Sequence, residues 1–143
     1  MLWFVGLGIS GLDGASANAI QVLKKADMTY FENFTSPIGR TELSKIKKLV
    51  KGKMIIAPRW MVEDGKAILL LAKKKNVVLL AYGDPYVATT HQELRTRAEK
   101  EKIKTRTIHA ASAITSLIGE CGLHHYKIGR PVTIMKEIPS LNT

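Results

Sequence analysis

Residues 77–85, Val77-Val78-Leu79-Leu80-Ala81-Tyr82-Gly83-Asp84-Pro85, give the clearest indication of the fold, because an unbroken apolar run passes directly into residues typical of a tight turn. A run of this length, rich in valine and leucine, predicts a strand over 77–82 that is covered on both faces, as in a parallel sheet. Gly83 tolerates unusual φ values and Pro85 fixes its own, so we expect a turn there. A helix is predicted to follow over about 91–101.

The segments on either side of this strand alternate between short apolar runs and stretches with helical spacing. This alternation is typical of an α/β protein with a largely parallel sheet and helices on both faces. The predicted strands are 2–5, 28–31, 54–57, 77–82 and 104–109, with an edge strand over 132–135, and the predicted helices are about 16–25, 43–50, 68–72, 91–101 and 113–119.

The composition indicates one ordinary soluble domain. Of 143 residues, 45% are hydrophobic and 24% are charged, and a chain this long buries roughly two thirds of its unfolded surface. We therefore expect 1–143 to be a single α/β domain. Cys121 has no disulfide partner and is expected to be a small buried residue. The sequence starts without a basic leader, and no apolar stretch approaches the roughly 20 residues of a membrane span, so a cytoplasmic location is expected.

The net charge of +10 favours attraction to nucleic acid, ribosomes or an acidic protein. The basic residues lie mainly in 45–53, 73–75 and 95–106, stretches that are typical of solvated helix faces and turns. Aromatic residues are few and are not interleaved with these runs as stacking platforms would be. A non-catalytic basic module that binds RNA or an acidic protein remains an alternative function.

Candidate ligand sites are the loops after the strands, because ligands of open parallel sheets bind outside the carboxyl ends of the strands. In the first such loop, the motif Gly6-x-Gly8-x-x-Gly11 and an acid about 20 residues later, Glu32, suggest a dinucleotide-dependent oxidoreductase. That fingerprint needs a helix that starts within the glycine motif, whereas the helix here is predicted to begin only near Ser16. The three loops to consider are 6–14, 83–90 and 109–116.

Asp84 is the acid that the second loop presents to this crevice. A carboxylate there would suit the amine or the ribose hydroxyls of an adenosine-type ligand. The alternative is a turn residue that bonds its own backbone. Thr89 or Thr90 is expected to cap the helix that follows.

The run Gly83-Asp84-Pro85-Tyr86-Val87-Ala88-Thr89-Thr90-His91, followed by Glu93-Leu94-Arg95, resembles the GDPLVATTHAELR signature of archaeal diphthine synthases, which are tetrapyrrole-methylase-like methyltransferases. The likeness covers nearly the whole chain. It extends to Phe4-Val5-Gly6-Leu7-Gly8, Phe31-Glu32-Asn33-Phe34-Thr35-Ser36, Ile108-His109-Ala110-Ala111-Ser112 and Gly122-Leu123-His124-His125-Tyr126-Lys127. The first loop departs from the family, because Ser10-Gly11-Leu12-Asp13-Gly14-Ala15 stands where an acidic stretch is usual.

The resemblance implies a methyltransferase that uses S-adenosyl-L-methionine. Its family methylates the amino group of the modified histidine of elongation factor 2 during diphthamide biosynthesis. Matching motifs imply cofactor contacts at Ile9, Asp84, Val87, Ser112 and Ala113. The resemblance also implies a homodimer and a second, C-terminal domain, which we expect to be absent from these 143 residues.

The chemistry that the resemblance implies asks little of side chains. An amine attacks a sulfonium methyl group in line, so the enzyme mainly aligns the two groups and excludes water. No metal and no covalent nucleophile are expected. The amine must be unprotonated, and the sequence identifies no base for it. Four histidines are candidates by residue type alone, and each is equally interpretable as a cap, core or surface residue: His91, His109, His124 and His125.

Overall fold

In a computed structural model of the chain, which describes residues 1–132, five parallel strands form one sheet in the order β3-β2-β4-β1-β5. The strands are β1 (Leu2–Gly6), β2 (Met28–Glu32), β3 (Lys53–Ala57), β4 (Val77–Ala81) and β5 (Thr105–Ile108). The helices are α1 (Ala17–Lys25), α2 (Arg40–Leu49), α3 (Arg59–Asp64), α4 (Lys66–Ala72), α5 (His91–Lys100) and α6 (Ala113–Glu120). Two short 3₁₀ turns lie at Gly11–Gly14 and His125–Lys127.

The central strand β4 is buried along its whole length, as its unbroken apolar run predicts. Its register places Phe4 opposite Leu79, and Tyr30 opposite the same residue on the other side. Both side chains belong to the core on one face of the sheet, together with residues of α3, α4 and α5. The core on the other face combines alternate strand residues with α1 and α2. The predicted α/β fold with helices on both faces is therefore confirmed.

Local signals account for some of the helix boundaries. Ser16 caps α1 through its side chain, which accepts a hydrogen bond from the Ala19 N–H at 3.2 Å, and Lys24 and Lys25 fall in the last turn. The helix α3 was not predicted. It ends at Gly65, whose φ of 63° lets α4 start immediately, so two short helices take the place of a loop.

One expectation about the C-terminal part is wrong, and another falls almost entirely on residues beyond the described range 1–132. Cys121 is exposed rather than buried, because it follows α6 and none of the residues of that helix is buried. The predicted edge strand over 132–135 lies outside the described residues except for Val132, which is in no strand. Within the described part of the chain, no helix is long and apolar enough to cross a membrane.

Candidate functional site

The first and second strand-end loops are joined by their backbones. Gly8 and Gly83 form an isolated antiparallel bridge, in which the Gly83 N–H donates to the Gly8 carbonyl at 2.9 Å and the reverse bond measures 3.2 Å. Both glycines have positive φ, 78° and 79° respectively, which other residues rarely adopt. The Tyr82 hydroxyl adds a third link by donating to the Ile9 carbonyl at 2.6 Å. The chain after β1 is thus fixed to the chain after β4.

Gly6 lies where all three strand-end loops meet. A Cβ atom at this position would be 2.5 Å from the Gly83 carbonyl oxygen, 2.9 Å from the Ala110 Cβ and 3.0 Å from the Pro85 Cδ. Two of these neighbours belong to the second loop and one to the third. The absence of a side chain at residue 6 is therefore what lets the loops close on one another.

Asp84 ties the second loop to the third. Its Oδ1 accepts the Tyr86 N–H at 2.9 Å, and its Oδ2 accepts the Ala110 N–H at 3.1 Å. The same Oδ2 lies 2.9 Å from Nδ1 of His109, the residue directly after β5. Burial opposes ionisation of this carboxyl, but the Tyr86 N–H, the His109 side chain and the Ala110 N–H together lower its pKa. Asp84 is therefore an ionised, buried acceptor at neutral pH.

These contacts confirm the turn interpretation of Asp84. The carboxylate does bond its own turn, through the Tyr86 N–H, as a turn residue would. A carboxylate offers about four lone-pair sites, and the three contacts here leave one site on Oδ1 without a partner among the described residues. The residue is a structural tether that retains capacity for one further hydrogen bond.

The other four predicted cofactor positions lie on the same three loops. Ile9 follows the bridged Gly8 and is 43% exposed, and Val87 is partly buried in the turn after Asp84. Ser112 is buried and acts as the N-cap of α6, where its Oγ accepts the Thr115 N–H at 3.4 Å. Ala113 opens that helix and is exposed.

The expected cap of α5 is wrong. Thr90 occupies the N-cap position, but its side chain makes no capping bond, and Thr89 donates instead to the Pro85 carbonyl at 2.6 Å. The imidazole of His91 lies 2.8 Å from the same carbonyl, through Nδ1. Thr89 and His91 therefore stabilise the Gly83-Asp84-Pro85 turn rather than the helix end.

Ala88 carries backbone strain beside this turn, because its φ of 57° lies in the left-handed region. We expect Ala88→Gly to raise the free energy of unfolding by about 0.5–1 kcal/mol, since relief of the strain exceeds the entropic cost of a new glycine. Urea denaturation would measure the change. The control is Ala98→Gly in the buried face of α5, where the same substitution should lower the free energy of unfolding by about 1 kcal/mol or more. A lower free energy of unfolding for Ala88→Gly than for the wild type would contradict this expectation.

The geometry argues against dinucleotide binding. Glu32 is fully buried, and its Oε2 accepts the Thr35 N–H at 3.1 Å instead of facing a ribose. The helix α1 starts at Ala17, beyond the glycine motif, as the sequence indicates. The first loop forms a 3₁₀ turn that is held by Glu42, whose Oε1 accepts the Leu12 N–H at 2.7 Å. The unusual first loop is thus anchored to α2, which sequence reasoning did not foresee.

A cleft of about 400 Å³ opens beside the first loop, at the carboxyl ends of β1, β2 and β4. Its walls include polar groups from the loop and from α2. The lining residues are Ser10, Gly11, Pro37, Ile38, Gly39, Glu42 and Tyr82. The cleft adjoins Ile9 but does not include the other four predicted cofactor positions, which follow β4 and β5.

Sequence reasoning missed two residues of this site. His109 was a candidate by type alone, and its position next to Asp84 depends on β5 lying beside β1, which no local pattern reveals. Gly6 was noticed only as part of a glycine motif. Its location at the end of a predicted buried strand was the available signal, because glycine there permits close approach of another chain segment.

Comparisons with known proteins agree with this architecture. The family model for Tetrapyrrole (Corrin/Porphyrin) Methylases matches residues 1–142. Among relatives, a protein named diphthine synthase from Methanospirillum hungatei is 36% identical over 140 residues, which are 97% of this chain and 56% of that protein. A protein named diphthine methyl ester synthase from Saccharomyces cerevisiae is 35% identical over 136 residues, or 94% of this chain and 45% of that protein.

The fold is likewise similar to a solved structure. A crystal structure of diphthine synthase superimposes with a TM-score of 0.81 at 34% identity, covering 90% of this chain and 51% of that one. The chain thus spans about half the length of the relatives it matches. Because the family model covers all but one residue, the chain belongs to the tetrapyrrole methylase family.

Proposed function

We propose that this chain is the S-adenosylmethionine-binding half of a methyltransferase of the diphthine synthase type. Its methyl group would go to the amino group of the modified histidine of elongation factor 2. The observation that carries the proposal is the convergence of three strand-end loops on Asp84, in a chain whose relatives are named diphthine synthase and diphthine methyl ester synthase.

The residues at this convergence fit such a cofactor. The ionised Asp84 has one free acceptor site for a ribose hydroxyl or an ammonium donor. A Cβ atom at Gly83 would have no heavy atom within 4 Å, so the backbone next to Asp84 is open to a ligand. Ile9, Val87 and Ala113, on the same three loops, would supply small and medium apolar surface. When bound, S-adenosylmethionine supplies an electrophilic methyl group, and these residues would hold and orient it.

We propose further that residues 1–143 act as one domain that forms one wall of the cofactor cleft. The relatives are about twice as long, which supports a second wall from a further domain. This assignment limits what the chain achieves alone: it would bind cofactor weakly compared with a two-walled cleft, since less of the ligand surface is buried.

Three further properties that the resemblance implies remain predictions. They are elongation factor 2 as the protein substrate, a homodimer and a cytoplasmic location. Exposed apolar side chains on and after α6 give self-association a physical basis, with Leu117 60% exposed and Tyr126 80% exposed. The alternative of a basic RNA-binding module also stays a prediction, which a filter-binding assay over a salt series would test.

The proposed function is tested by titrating the purified chain with S-adenosylhomocysteine in a calorimeter. We expect saturable binding by the wild type. Asp84→Asn should weaken it by about tenfold or more, because a charge-assisted hydrogen bond is lost and the tether to Ala110 is disturbed. The matched control is Asp64→Asn, which removes an exposed carboxylate whose partner, Lys66, is exposed as well. No binding by the wild type, or equal binding by both variants, would contradict the cofactor assignment.

A further inference from the structure

The side chain of His109 is held by Asp84 while its other edge remains accessible. Nδ1 of His109 lies 2.9 Å from Oδ2 of Asp84, and the two side chains are 67% and 7% exposed. A buried carboxylate that orients an exposed imidazole is the arrangement by which proteins prepare a general base. The pair stands at the crevice formed by the three strand-end loops.

The hydrogen bonds determine which ring nitrogen carries the proton. Asp84 is ionised at neutral pH, since backbone and side-chain donors lower its pKa in spite of burial. Its Oδ2 therefore only accepts, and Nδ1 of His109 must be the donor. In the neutral imidazole this leaves Nε2 without a hydrogen and with a free lone pair. Nε2 is thus the basic atom of the ring.

Tyr86 fixes the imidazole from a second side. The rings of Tyr86 and His109 meet edge to face, with centroids 5.9 Å apart, and the Tyr86 hydroxyl lies 3.1 Å from the Thr107 Oγ1. The guanidinium of Arg95 lies 5.8 Å from the centre of the Tyr86 ring. Among residues 1–132, His109 is thus in contact with one carboxylate and one phenol ring, and a guanidinium lies over that ring.

We propose that His109 is the proton acceptor for the attacking amine, an inference that rests on the proposed methyltransferase function. The substrate ammonium gives one proton to Nε2 of His109, which frees the nitrogen lone pair. The amine then forms a new C–N bond with the methyl carbon of S-adenosylmethionine, and the electron pair of the broken C–S bond stays on the sulfur of that molecule. Asp84 stabilises the imidazolium that results, as a buried carboxylate does in catalytic triads.

The first arm of the test is independent of turnover. Nitrogen NMR of the labelled chain should show His109 as the Nδ1–H tautomer, and Asp84→Asn should shift the ring toward the Nε2–H form, because the amide can donate to Nδ1. His125 serves as the internal control, since it lies in an exposed 3₁₀ turn away from Asp84. A wild-type His109 found as the Nε2–H tautomer would overturn the proposal, since the basic atom would then face Asp84.

The second arm separates the base from the cofactor site. His109→Gln should bind S-adenosylhomocysteine within about threefold of the wild type, yet methylate amine-bearing elongation factor 2 about 100- to 10,000-fold more slowly. It should also lose the acidic limb of the pH–rate profile, and added imidazole should restore part of the rate in His109→Ala. A His109→Gln variant with the wild-type rate would overturn the proposal. Failure of the wild type itself to bind would instead count against the proposed function.

Discussion

Gly6→Ala is expected to lower the free energy of unfolding by about 3 kcal/mol and to abolish binding of S-adenosylhomocysteine. The new Cβ would lie 2.5 Å from the Gly83 carbonyl oxygen, and two further neighbours stand within 3.0 Å. Overpacking of this kind typically costs 1–3 kcal/mol, and the high end applies because the closest atom belongs to backbone that cannot rotate away. Relief requires the loops after β1, β4 and β5 to separate.

Urea denaturation of Gly6→Ala and a matched control would measure this effect. The control is Gly129→Ala, because a Cβ at residue 129 would have no heavy atom within 4 Å and the glycine has no positive φ. We expect the control to stay within about 0.5 kcal/mol of the wild type. If Gly6→Ala matched the control in both stability and binding, the close approach of the three loops would be refuted.

Much of the fold was accessible from the sequence because its signals are local. Four apolar runs and the mixed segment 104–109 predicted five strands, and each lies within two residues of its expected place. The run before Gly83 even identified the most buried strand, since a strand covered on both faces has no polar side to display. The helix α3 was not predicted because its six residues carry no full period of apolar spacing and follow directly on Pro58, at the end of the predicted strand 54–57.

The site was predictable only to the level of loops. The rule that ligands bind at the carboxyl ends of parallel strands selected three segments, and the structure brings all three together. The rule does not say which residues of these loops contact one another. The contacts of Asp84 with Ala110 and of Gly8 with Gly83 join residues 26 and 75 positions apart, which depend on strand order rather than on sequence spacing.

The stability of the protein is expected to fall steeply below pH 6.5, with His91 as a main cause. Burial lowers the pKa of this imidazole from 6.5, although the Glu32 carboxylate and the bond to the Pro85 carbonyl act in the opposite direction. The unfolded chain therefore binds the proton at a higher pH than the native state does. The stability that the neutral His91 ring contributes is fully present above the pKa of this residue in the unfolded chain. It is lost as the pH falls through that pKa, by at most about 1.4 kcal/mol per pH unit.

The surroundings of His91 explain why the native state resists this proton. The ring is buried, its Nδ1 lies 2.8 Å from the Pro85 carbonyl, and within the described chain its Nε2 has no hydrogen-bond partner. A proton on Nε2 would place a charge in a buried site, where the Glu32 side chain offsets the cost only in part. The native protein therefore takes up this proton at a lower pH than the unfolded chain does.

Urea denaturation at several pH values between 7 and 5 would isolate this contribution. His91→Gln removes the titrating group and keeps a polar side chain. Its free energy of unfolding should be lower at pH 7, but the slope of that free energy against pH should be smaller than in the wild type, by up to the contribution of one proton. The control is His125→Gln, an exposed position that should leave the wild-type slope intact. Equal slopes for the wild type and His91→Gln would mean that His91 titrates alike in both states. In that case the turn at Gly83-Asp84-Pro85 would have to open enough in the native protein to hydrate the imidazole.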